Sequence, residues 1–309
     1  MIDLTLPPIN PALGIDLVAG RTLRRRVADV SVVIPAHNEE ETIAEVVSES
    51  ARGLEMLDVP GQVIVSASGC TDRTAAVARL AGAVVVEAGI GKGAAIVAGV
   101  KASTGDVICL VDGDLRYYGD PPLVPLLVGP ILNGIADATV SDLYWRPLYP
   151  QLWLCGFFAP LAGTLFPELL PKVGSTPWTG QRAAVRELWP DTLPGGFTAD
   201  LALLLHWNNR ALRMRPVLAD DWMNPQRPKP ELMAQEFSLL VEHAVRRGRV
   251  EPDEVAHLKG WFESAHRLMA EYEPEKHDPR AFEADVLDRS LAELRDRLRP
   301  TRSAGRRPA

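Results

Sequence analysis

The stretch "ICLVDGDLRYYGDP", residues 108–121, decides how the rest of the chain reads. Ile108 to Val111 are apolar and run straight into Asp112-Gly113-Asp114. A short apolar run of this kind reads as a buried strand. Open parallel sheets take their ligands at the carboxyl ends of the strands, and the two aspartates stand at such an end. Residues i and i+2 of a strand share a side, so both carboxylates can face one cleft. Gly113 between them lets a ligand approach the backbone closely. Two hard oxygen donors in a cleft suit Mg²⁺ or Mn²⁺. Alone, the three letters fit a solvated turn as well as a metal site.

The flanking sequence supplies the sheet. Upstream, "VSVVIPAHN", "QVIVSAS", "AVVVEA" and "DVICLV" read as four strands rich in β-branched residues. Between them, "NEEETIAEVVSESARGL", "TDRTAAVARLAG" and "GKGAAIVAGVKASTG" read as helices, the first with Asn38 as its N-cap. Strands alternating with helices predict βαβ units. The fold class is therefore α/β, a mostly parallel, Rossmann-like sheet with helices on both faces. "PPLVPLLVGPILNG" covers the sheet, and "ADATVSDLYW" is a further strand. From about residue 150 the alternation is lost. "TADLALLLHWNNRA" reads as a helix, "LRMRPVLA" as a strand, and 230–247, 252–273 and 280–298 as a helical C-terminal region.

The totals set limits. The chain has 309 residues, 47% hydrophobic and 24% charged, an ordinary globular composition. A net charge of −7 argues against a general nucleic-acid binder, though not against a small anionic substrate. Cys70, Cys109 and Cys155 lie far apart without a CxxC pair, which points to a reducing, cytoplasmic setting and gives no zinc signal. No basic-then-apolar leader opens the chain, and no apolar run reaches the ~18–20 residues of a membrane span. The nearest, "LWLCGFFAPLAGTLF" at 152–166, is broken by Pro160 and two glycines and reads as a core or dimer-packing helix. The six histidines, at 37, 206, 243, 257, 266 and 277, show no metal spacing.

Successive strand ends carry chemistry: "PAHNEEETI", "SASGCTDRT", "GIGKGAA" and then "DGD". "GKG" is no Walker loop, but Lys92 opens a helix, where an amine and free N–H groups can both meet phosphate. In this order the motifs resemble the nucleotide-sugar domain of GT-A-fold glycosyltransferases, and more closely the retaining glucosyl-3-phosphoglycerate synthases. The resemblance extends to "YWRPL" (144–148), "AAVREL" (183–188) and "PGGFTADLALLL" (194–205). It implies a UDP-sugar donor. Pro35, Ala36, Asn38 and Glu39 would line the uridine site, Ser68 and Gly69 would lie by the base, and Asp112 with Gly113 by the ribose. Asp114 would hold the metal, with Asn224 as a second ligand beside "QRP". Lys92, Arg146 and Asp200 would serve the transfer itself, and Tyr144 the substrate loop.

The sequence also departs from the family. Strand two reads "SAS", with Ala67 where the family usually has a carboxylate. No histidine stands near Asn224, where Asp220 and Asp221 are alternative oxygen donors. The family's "GGE" is Thr179-Gly180-Gln181, and no arginine lies between Arg146 and Arg182. Phosphate and carboxylate need cationic or N–H partners, so the acceptor is expected to differ from 3-phosphoglycerate. Trp153, Phe157, Phe158 and Leu161 would instead offer an apolar acceptor wall, and segment 152–166 with the helical C-terminal region a homodimer face. The expected organisation is a leader at 1–28, a donor domain at 29–150, an acceptor region at 151–228, helices at 229–298 and a basic tail at 299–309. The competing readings are a nucleotidyltransferase, disfavoured by the acidic loop after strand one, and a non-catalytic nucleotide-sugar binder.

Overall fold

The computed structural model describes residues 29–117, 120–142, 152–210, 213–219, 222–223 and 230–298. The expected leader and tail, and Tyr144, Arg146 and Asn224, lie outside the described residues.

The first half follows the apolar pattern. Strands β1 (Val30–Ala36), β2 (Gly61–Ser68), β3 (Val84–Ala88) and β4 (Val107–Leu110) alternate with helices α1 (Ile43–Leu57), α2 (Thr74–Leu80) and α3 (Lys92–Ala102). β1 and β4 are buried at every position, as central strands covered on both faces must be, while β3 is partly exposed. A short strand β5 (Arg116–Tyr117), helix α4 (Leu123–Leu132) and strand β6 (Ala138–Asp142) follow. After a π-helical turn at Leu154–Phe158 come α5 (Ala159–Leu165), α6 (Leu170–Val173), β7 (Arg182–Val185), α7 (Ala199–Asn208), β8 (Met214–Leu218) and β9 (Trp222–Met223). Helices α8 (Pro230–Arg246), α9 (Val255–Ala270) and α10 (Pro279–Leu298) end the described chain.

The main sheet has seven strands in the order β3-β2-β1-β4-β7-β6-β8. β1 pairs in parallel with β2 and β4, β2 with β3, and β6 with β8. β7 alone runs against its neighbours, β4 and β6. This central strand was not read from the sequence. Four residues beginning with an arginine carry too little alternation to register as a strand. Its reversal matters, because the start of β7 then lies at the same edge as the carboxyl ends of β1 and β4, with Leu110 opposite Arg182.

Apolar side chains fill both faces. One core joins α1 and α4 to the sheet through Ile43, Val46, Leu123 and Leu127. The other joins α3, segment 152–173, α7 and the C-terminal helices. The segment 152–166 is thus internal. Phe157, Phe158 and Leu161 are fully buried, and Phe157 lies 6.4 Å from the Trp261 ring and 5.6 Å from the Phe262 ring. Each such side chain contributes about 1.5–3 kcal/mol by leaving water. Phe157, Phe158 and Leu161 are spent within the chain, so these side chains are not open to form an acceptor wall. The apolar pattern was read correctly and its partner was not, since α9 and α10 come a hundred residues later.

Asn38 is not a helix cap. α1 begins at Ile43 after Thr42, whereas Asn38 has φ 58° and its Oδ1 accepts the Thr71 N–H at 2.8 Å. Asn38 ties the loop after β1 to the loop after β2.

Candidate active site

The carboxyl edge of the sheet gathers most of the residues singled out above. Asp112, Gly113 and Asp114 follow β4 through Val111. The turn is fixed from the start of α1, because the Thr42 hydroxyl donates to the Gly113 carbonyl at 2.7 Å in a buried contact. Pro35 and Ala36 end β1 and are buried. Ser68 ends β2, and its hydroxyl donates to the Gly89 carbonyl at 2.9 Å and accepts the Gly91 N–H at 3.0 Å. Ser68 therefore holds the loop that delivers Lys92, and Gly69 turns away at φ 59°.

Lys92 is the centre of the arrangement. It opens α3, and its Nζ lies 2.8 Å from Asp112 Oδ1 and 2.8 Å from Asp200 Oδ2. Its side chain is only 14% exposed, so Lys92 is largely buried although it opens a helix. Burial works against the ammonium, but the charges of Asp112 and Asp200 outweigh it and hold the Lys92 pKa above its ordinary value. Asp112 also accepts from Gln181 Nε2 at 2.8 Å. Asp200, in the first turn of α7, meets Arg182, whose guanidinium donates to the Asp200 backbone oxygen at 2.9 Å and approaches Oδ1 at 3.7 Å. Arg182 is fully buried, lies 5.8 Å from the Trp207 ring centroid, and also donates to the Thr179 carbonyl. Two carboxylates and two cations are thus interleaved at the junction of α3, β4, β7 and α7.

Glycines make this packing possible. Gly91 has φ 114°, and a Cβ there would overlap the Gly195 carbonyl oxygen; a Cβ on Gly93 would overlap that of Pro194. "GKG" and "PGG" are therefore two halves of one contact. Gly180 faces the Asp112 carboxylate so closely that any side chain would displace it.

Glu39 stands on the other flank. Its backbone N–H donates to Thr74 Oγ1 at 2.7 Å, and its carboxylate accepts from Thr42 at 3.4 Å. Burial and the charge of Asp114, with a further contribution from Asp112, push its carboxyl up from 4.5 to about 7. Crowding of this kind signals a cluster of acids that a cation would relieve. Among the described residues no group of three or more His, Cys, Asp or Glu is arranged to hold a metal alone. β5 pairs with β9 in the register Arg116↔Met223, which brings the chain just before Asn224 alongside the chain just after Asp114.

Sequence reasoning missed the parts that come from afar. Gln181 was noted only as one charge fewer, and it proves to be the partner of Asp112. Glu236, 2% exposed, sits on the apolar face of α8 with Met233, Phe237 and Leu240. An acid at that spacing was the available signal.

Comparison with known proteins adds to this geometry. Residues 31–151 match the family described as Glycosyl transferase family 2. A glucosyl-3-phosphoglycerate synthase of Mycobacterium tuberculosis (strain ATCC 25618 / H37Rv) is 35% identical over 208 residues, 60% of this chain and 61% of that protein. The chain thus spans about three fifths of the length of such curated relatives. The crystal structure of the Mycobacterium tuberculosis synthase with Mn²⁺, UDP-glucose and phosphoglyceric acid is 29% identical, with a TM-score of 0.60, and covers 72% of this chain and 81% of that one. A structure of the same synthase with Mg²⁺ and UDP matches with 29% identity and a TM-score of 0.60, again over 72% and 81% of the two chains. The seven-stranded, mostly parallel sheet with helices is GT-A-like. Among the described residues, no helix is long and apolar enough to cross a membrane.

Proposed function

We propose that this chain, whose residues 31–151 form a glycosyl transferase family 2 domain, moves a sugar from a UDP-sugar to an acceptor hydroxyl with the help of Mg²⁺ or Mn²⁺. The observation that carries the reading is the Lys92–Asp112–Asp200 bridge beside the Asp114–Glu39 carboxylates, all at the carboxyl edge of the sheet. The donor set fits a divalent cation, because burial and the neighbouring Asp114 and Asp112 charges hold Glu39 back from ionising and a cation would offset both. Asp114 would hold the ion, with Asn224, beyond β9, as a second oxygen donor. When bound, the ion neutralises the charge that develops on the departing diphosphate.

The chain's own groups do the rest. The uridine lies along Pro35, Ala36, Asn38, Glu39, Ser68 and Gly69, with the ribose by Asp112 and Gly113. Lys92 fixes Asp112 on the donor side and Asp200 on the transfer side with one ammonium, so the two halves of the site keep a common geometry. Asp200 orients hydroxyls of the sugar or acceptor. Arg146 and Tyr144 complete the substrate loop. Attack on the same face as the departing phosphate gives retention.

The acceptor is the finer part of the reading. The synthase structures contain phosphoglyceric acid. In this chain the single basic residue between Arg146 and Arg182 is Lys172, which donates to Asn208 Oδ1 at 2.9 Å, and Arg182 is taken up by Asp200 and Thr179. A doubly anionic acceptor lacks partners in that segment, so the proposed acceptor is another hydroxyl compound. Labelled UDP-glucose and UDP-N-acetylglucosamine, incubated with Mn²⁺ with and without 3-phosphoglycerate, test the proposal. Metal-dependent release of UDP supports it, and metal-independent behaviour with no sugar released or transferred overturns it.

A further inference from the structure

His37 directly follows β1 and lies exposed at the carboxyl edge. Its Nδ1 is 2.6 Å from the carbonyl oxygen of Ser68, the last residue of β2. A carbonyl oxygen only accepts, so Nδ1 carries the proton, and Nε2 of the neutral ring is an acceptor. The ring is anchored on one side and presents a lone pair on the other.

The neighbouring polar groups are committed elsewhere. Asn38 Oδ1 accepts from Thr71, Asp72 accepts from Thr74 and from Glu40, and the Ser68 hydroxyl spans Gly89 and Gly91. Glu39 faces Thr42 and feels Asp114, on the metal side. Ala67 is fully buried and brings no polar side chain. Where β1 and β2 end, His37 offers a preset, oriented acceptor.

We infer that His37 selects the base of the donor, with Nε2 accepting the ring N–H of uracil. This deepens the UDP-sugar reading of the same site and rests on it. Uracil presents N3–H between two carbonyl groups. Cytosine, of the same size, presents a bare ring nitrogen at that position, which would set two lone pairs against each other. His37 would therefore favour uridine over cytidine diphosphates through one bond, from a ring anchored on the Ser68 carbonyl.

The test is calorimetric binding of UDP, CDP and N3-methyl-UDP to the full chain with Mn²⁺, for wild type and His37→Leu. Wild type should bind UDP about tenfold tighter than CDP or N3-methyl-UDP, the scale of one hydrogen bond with an unpaired alternative. His37→Leu should erase the difference between UDP and CDP, weakening UDP and relieving CDP of the opposed lone pairs. An unaltered UDP-to-CDP ratio in the variant, or equal binding of UDP and N3-methyl-UDP by wild type, overturns the inference. If wild type binds all three nucleotides alike, the donor reading stands and His37 alone fails; if it binds none of them with metal, both fail. The methylated nucleotide reports on the unmodified protein, so the result does not depend on the variant's folding.

Discussion

Glu236→Gln should flatten the pH dependence of stability. Glu236 is 2% exposed on the apolar face of α8, and its Oε2 has no hydrogen-bond partner among the described residues. Burial, and then the charge of Asp200, push its carboxyl from 4.5 up to about 8. The folded state thus favours the neutral acid. Its stabilising contribution is fully present below the unfolded value of 4.5 and is lost as pH rises through about 8. At 1.36 kcal/mol per pH unit the whole shift amounts to about 5 kcal/mol, and the part lost between about pH 6 and about pH 9 is roughly 3 kcal/mol. Urea unfolding of both proteins at those two pH values measures it. Wild type should lose roughly 3 kcal/mol more than Glu236→Gln across the interval. Parallel losses would refute the placement of a neutral acid beneath Asp200.

The ion network makes a second test. Lys92→Ala leaves Asp112 and Asp200 buried without their shared cation and should cost about 3–5 kcal/mol in thermal or urea unfolding. Adding Asp200→Asn should recover part of that loss, and strict additivity in the cycle would deny the coupling. Gly91→Ala should destabilise by at least about 1–3 kcal/mol and weaken UDP binding, because it meets both a φ of 114° and the Gly195 carbonyl. Gly82→Ala is the control, since Gly82 has φ 97° and open space around it; equal effects at both sites would remove the GKG–PGG contact from the argument. With 3-phosphoglycerate present, hydrolysis of the UDP-sugar should exceed transfer, and efficient formation of glucosyl-3-phosphoglycerate would show that Arg146 or another cation serves that acceptor.

The donor half of the molecule was legible because its strands are short apolar runs and its helices carry end signals. Val30–Ala36, Gly61–Ser68, Val84–Ala88 and Val107–Leu110 fall where those runs stop. The reading failed where structure depends on distant partners. β7 is four residues long and owes its place to β4 and β6 on either side. Asn38 has the letter of a cap, but Thr71 competes for its side chain. The apolar run at 152–166 announces burial without saying against what, and α9 and α10 supply the answer. Lys92 and Asp200 are 108 residues apart, so motif order could group them but not show that they share a hydrogen-bonded ion pair. Glu236 was visible in principle, since an acid between Met233 and Leu240 breaks the apolar stripe.

The central claim is that Asp114 ties a divalent cation to a uridine diphosphate at the end of β4. The most direct measurement is the thermal midpoint with UDP, in Mn²⁺ and in chelator, for wild type and Asp114→Ala. UDP should raise the wild-type midpoint much more with Mn²⁺ than with chelator, by mass action on the folded state. In Asp114→Ala the two shifts should become equal. A variant that keeps the full metal-linked shift would contradict the account.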